Sequence, residues 1–124
     1  MTRASAAALA ALALLAASPA TAGHRPNAYC SPSGDVCQST AKVDGVRKLR
    51  ITLAAEYFTR YRLCVTGPND ARTCKTFRIE QRGPVFGDSV RWSTNFPNEG
   101  RGAYDVVWKM LSGERIGRRL GFHR

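Results

Sequence analysis

The sequence predicts an all-β domain, an antiparallel β-sandwich of about seven short strands carrying two disulfides, and three observations predict it. From Thr40 onward apolar and polar residues alternate in short runs, as half-buried strands require. Turn formers interrupt these runs every 8 to 14 residues, the layout of a sandwich or barrel. Four cysteines fall into two locally spaced pairs, C-x6-C and C-x9-C. No sustained helical period and no internal repeat competes with this reading.

A first strand is expected around Gln38 to Val43. "KLRITLA" then sets Leu49, Ile51 and Leu53 on one face and Lys48, Arg50 and Thr52 on the other. "YRLCV" sends Tyr61, Leu63 and Val65 inward, with Arg62 and Cys64 outward. After the turn formers of "TGPNDA", "TCKTFRI" places Phe77 and Ile79 inward and Cys74, Thr76 and Arg78 outward. "SVRWSTNF" offers Val90 and Trp92 to the core, and "AYDVVWKM" offers Tyr104, Val106, Trp108 and Met110. "IGRRLGF" closes the set with Ile116, Leu120 and Phe122.

Seven such strands fit a sandwich of immunoglobulin-like or fibronectin-III-like type. The sixth carries the most specific cue. In "NEGRGAYDVVW" a glycine-bearing turn precedes Tyr104 just inside a strand, the placement of a tyrosine corner, whose hydroxyl bonds back to the upstream backbone. Tyr104, Trp92 and Trp108 are therefore assigned structural roles.

The cysteines read as staples. Cys64 and Cys74 lie on the outward face of two strands that one turn joins, so they can meet across the hairpin, outside the core. Cys30 and Cys37 then remain, and the Pro and Gly of "CSPSGDVC" can close that loop. Loops this short stabilise by roughly 2.5 kcal/mol each on chain-entropy grounds. Neither spacing is a zinc knuckle or a C-x-x-C redox motif.

The first residues follow the grammar of a secretory signal peptide: Arg3, an apolar run from Ala6 to Ala17, then small residues, with cleavage expected after Ala22. The run is too short to span a bilayer. The expected organisation is residues 1–22 as signal peptide, 23–39 as an irregular N-terminal lead with a disulfide loop, and 40–124 as the sandwich. A soluble, extracellular monomer with no lipid or membrane anchor follows, in a compartment where disulfides persist.

Of 19 basic residues only Arg3 is lost with the signal, leaving a formal charge of +9. That balance favours an acidic partner such as an anionic wall polymer, lipid headgroups or a polysaccharide. A specific nucleic-acid site is not indicated, because no compact Lys/Arg run alternates with aromatics. "AEYFTRYR" supplies the candidate binding residues Tyr57, Phe58, Arg60 and Arg62, near a loop at one end of the sandwich. An enzyme is not expected: His24 and His123 sit at opposite ends of the predicted mature chain, where neither can serve a Ser/His/Asp set, and the carboxylates are scattered. No catalytic residue, metal site or cofactor is assigned.

Three resemblances bear on function. Gly102, Tyr104, Val106, Trp108, Ser112, Gly117 and Phe122 match or nearly match the Gly-x-Tyr-x-Val-x-Trp end of secreted copper-binding proteins of the CopC type. That resemblance implies a copper carrier with His24 as a ligand, although "SGERIG" lacks the histidine of that family's Asp-Gly-His turn. The C-x9-C pair is similar to one in chromoprotein carriers of the neocarzinostatin type, which implies a small-ligand carrier. Size, secretion and two disulfides resemble the streptomycete subtilisin inhibitors, which implies protease inhibition. As a whole the chain resembles the small secreted immunoglobulin-like proteins of high-GC bacteria such as actinobacteria. The leading expectation is a non-enzymatic binding module for anionic cell-surface or wall material.

Overall fold

The structure, a computed structural model, describes residues 25–124. The predicted signal peptide, its cleavage site and His24 lie outside the described residues. Ten strands and one helical turn follow in order: β1 (Ala28–Cys30), β2 (Val36–Ser39), β3 (Lys42–Val43), β4 (Val46–Leu53), β5 (Arg60–Thr66), β6 (Arg72–Arg78), β7 (Glu80–Arg82), β8 (Val85–Arg91), α1 (Trp92–Asn95), β9 (Ala103–Lys109) and β10 (Arg115–His123). They form two antiparallel sheets. One runs β1-β2-β4-β8-β7, with β3 paired to β4, and the other runs β10-β9-β5-β6. This is the immunoglobulin-like sandwich, with three more strands than the seven expected.

Alternation puts the core where period two requires. Leu49, Ile51 and Leu53 of β4 face Tyr61, Leu63 and Val65 of β5 and Val106 and Trp108 of β9, all buried. Burying each large aliphatic side chain stabilises by about 2 kcal/mol. At one end Trp92, Tyr104 and Phe122 form an aromatic cluster. Trp92 meets the other two edge-on at 5.1 and 5.2 Å, and Tyr104 stacks on Phe122 at 4.9 Å. The Tyr104 hydroxyl donates to the Gly100 carbonyl at 2.7 Å and accepts the Glu99 N–H at 2.9 Å, which is the bonding of a tyrosine corner.

Four local readings differ from the structure. Residues 28–39, expected as an irregular lead, form the β1–β2 hairpin, in which Cys30 pairs directly with Cys37. The strand expected over Gln38 to Val43 breaks at Thr40 and Ala41, where Thr40 turns its hydroxyl onto the Gly121 carbonyl, and its remainder, β3, folds back on β4 across the tight Asp44-Gly45 turn, with φ of 51° and 77°. "QRGPVF" adds β7, joined to β8 across Gly83-Pro84. "SVRWSTNF" stops being a strand at Arg91, since Thr94 and Asn95 turn their side chains onto the Arg91 carbonyl and favour α1 over a ladder. Trp92 is buried nonetheless.

Two buried polar side chains tie the sheets together where β2 passes β10. Gln38 donates from Nε2 to the Ile116 carbonyl at 2.8 Å and accepts the Arg118 N–H at 3.0 Å. Thr40 donates to the Gly121 carbonyl at 2.7 Å. Gln38 sits inside a bulge of β10, where the register shifts between Ile116 and Leu120. Gly117, at φ 61°, lies against the Gln38 amide and leaves no room for a Cβ. No helix among the described residues is long and apolar enough to cross a membrane.

Candidate binding face on the four-stranded sheet

Because Tyr61, Leu63 and Val65 fill the core, Arg60, Arg62, Cys64 and Thr66 occupy the outer face of β5. The register then fixes what stands beside them. Arg60 lies opposite Arg78, Arg62 opposite Thr76, Cys64 opposite Cys74 and Thr66 opposite Arg72 on β6. On the other side Arg62 is opposite Lys109, Cys64 opposite Val107 and Thr66 opposite Asp105 of β9. Lys109 is in turn opposite Arg115 of β10. One row across the sheet therefore reads Thr76, Arg62, Lys109, Arg115.

The Cys64–Cys74 and Cys30–Cys37 disulfides both form between directly paired residues, with Cα atoms 4.1 Å apart in each case. Cys64 lies on the outer face as the alternation requires, yet it is only 3% exposed. Arg62, Arg72 and Lys109 stand around this disulfide and Gly113, lining a shallow groove of about 570 Å³. Beyond β10, Arg115, Arg118 and Arg119 line another polar depression with Arg25. The basic surface thus runs from the β6 edge to the β10 bulge.

Like charges opposite one another on neighbouring strands repel. Acidic side chains would relieve this, but the ion pairs among the described residues are Arg25–Asp105 at 2.6 Å and Arg82–Asp88 at 3.9 Å. Asp105, the carboxylate on the outer face of β9, is thus engaged by Arg25. Arg60, Arg62, Arg72, Arg78, Lys109 and Arg115 have no ion-pair partner within the described residues.

The structure separates the four binding residues expected from "AEYFTRYR". Arg60 and Arg62 join the basic face. Tyr57, 52% exposed, sits in the β4–β5 connection, and Phe58 turns partly inward and packs against the core. Leu111, 54% exposed, sits in the β9–β10 connection at the same end of the sandwich, since Arg62 and Lys109 are register partners just inside the two loops. Arg72, Lys109 and Arg115 escaped sequence reasoning. Alternation could have placed each on an outer face, but only strand order and register bring them beside Arg62.

A further polar link crosses the interior. Tyr61, fully buried on β5, donates its hydroxyl to Asp88 of β8 at 2.8 Å, bridging the sheets. Burial, and then the Asp88 carboxylate, push the Tyr61 phenol far above its ordinary range, with Arg82 opposing. The indole Nε1 atoms of Trp92 and Trp108 are buried without a hydrogen-bond partner. Among the described residues, no three His, Cys, Asp or Glu side chains converge as a metal ion would need.

Comparison with known proteins finds no match to a family model, to a curated protein or to a solved structure.

Proposed function

We propose that this chain is a secreted, non-enzymatic binding module that holds an anionic polymer of the cell surface or wall on the outer face of its four-stranded sheet. The observation that carries the reading is the row Arg62, Lys109 and Arg115, three cations opposite one another on successive strands with no acid in ion-pair reach. Such a row opposes folding, so its presence is better accounted for by a ligand that supplies the missing negative charge. Strands are about 4.8 Å apart and outer-face residues of one strand about 6.6 Å apart, so the cations form a grid. A flexible chain with a phosphate or carboxylate on each repeat can lie across such a grid. The two disulfides suit an oxidising exterior.

The test separates this face from net charge alone. Binding to purified anionic wall polymer is measured for the triple variant Arg60→Gln, Arg62→Gln, Lys109→Gln and for a control, Lys48→Gln, Arg50→Gln, Arg101→Gln, that removes equal charge elsewhere. The first should weaken binding by at least about tenfold and flatten its salt dependence, and the control should weaken it much less. Equal losses in the two variants, or retention unchanged from low to high salt, would sink the proposal.

A further inference from the structure

A second concave site lies at the opposite end of the sandwich from Tyr57 and Leu111, between the β3–β4 hairpin, α1 and the end of β10. It encloses about 340 Å³. That is near the lower bound of small-ligand sites, room for one ring and a charged group. Trp92 and Phe122 form part of its wall, each largely buried in the aromatic cluster.

Its side-chain charge is one-sided. Lys42, Arg47, Arg91 and Arg124 line it, Arg124 donating from its guanidinium to Asn98 Oδ1 at 3.0 Å, and no Asp or Glu side chain does. Arg47 is held in place: its guanidinium lies 4.5 Å from the Phe122 ring centre and donates to the carbonyls of Thr40 at 3.0 Å and His123 at 3.3 Å. Its partners are thus neutral. Lys42 and Arg91 are exposed at the rim, and neither has an ion-pair partner among the described residues. A fixed cation backed by an aromatic ring, with two adaptable cations around it, is a receptor for negative charge attached to an apolar body.

We infer that this cavity binds a small ring-bearing anion, a phosphate monoester or carboxylate carried on a flat apolar group, with Arg47, Lys42 and Arg91 on the charge and the Trp92 wall beside the ring. The site shares no residue with the basic sheet face. It therefore stands or falls separately from the proposed polymer binding.

The two indole N–H resonances give a direct assay with an internal control, because Trp92 lines the cavity whereas Trp108 is fully buried on β9. Titration of the ¹⁵N-labelled protein with phenyl phosphate and with benzoate should shift the Trp92 signal saturably and leave that of Trp108 in place. The tighter of the two identifies the preferred head group, and saturable binding of either supports the site. Phenol, the ring without charge, and inorganic phosphate, the charge without a ring, should each bind at least about tenfold more weakly. The double variant Lys42→Gln, Arg91→Gln should lose about tenfold in affinity while the Arg60, Arg62, Lys109 triple variant loses none. Silence of Trp92 towards both ring anions, equal binding of phenyl phosphate and inorganic phosphate, or undiminished affinity in the double variant would overturn the inference.

Discussion

Neutralising Lys109 should make the protein more stable and a poorer binder at once. Lys109 lies opposite Arg62 on one side and Arg115 on the other. Cβ atoms of such pairs are about 5 Å apart, and the long side chains can splay, so a charge separation of about 7 Å is reasonable. In water two unit charges at that distance repel by roughly 0.6 kcal/mol, reduced by screening to about 0.5 at 0.01 M salt and about 0.25 at 0.15 M. Two neighbours double these values. Lys109→Gln, which keeps most of the aliphatic stem, should therefore stabilise by about 1 kcal/mol at low salt and about 0.5 at physiological salt. Urea denaturation at the two salt concentrations measures this, alongside affinity for the anionic polymer. A destabilised variant, or a stability change that ignores salt, would show that the row carries no repulsion and would remove the argument for a ligand there.

Other substitutions probe the frame that presents this face. Tyr104→Phe strips the Gly100 carbonyl and the Glu99 N–H of their shared partner and should cost about 1 to 3 kcal/mol in urea unfolding. Gln38→Ala leaves the Ile116 carbonyl and the Arg118 N–H unpaired at the bulge. A loss of about 2 to 3 kcal/mol is expected by thermal or urea unfolding, and a neutral result would mean the bulge does not depend on Gln38. Tyr61 supplies a pH signature. Its folded pKa is raised, so its contribution is fully present below the unfolded value of 10.0 and is lost as pH rises beyond it, when the unfolded chain releases a proton that the native state retains. Stability should fall above that pH with a slope of up to about 1.4 kcal/mol per unit from this group, and Tyr61→Phe should flatten the slope.

The sequence by itself determined what depends on local spacing. Alternation in "KLRITLA" and "YRLCV" identified Leu49, Ile51, Leu53, Tyr61, Leu63 and Val65 as core, because period two leaves a strand one apolar face to bury. The same alternation placed Cys64 and Cys74 on one outer face, and a single turn brought them together. The glycine-bearing turn before Tyr104 was enough to locate the tyrosine corner. Asp44-Gly45 was a legible hairpin signal between the strand expected to end at Val43 and "KLRITLA".

Only the tertiary structure decided which distant residues became neighbours. Nothing within β6, β9 or β10 alone states that Arg72, Lys109 and Arg115 share a surface with Arg62, because strand order and register are set by the packing of two whole sheets. The same holds for the cavity beside Trp92, where Lys42, Arg47 and Arg91 converge from β3, β4 and β8. The physical reason is that charge repulsion and concavity belong to distances through space, whereas a sequence records distances along the chain.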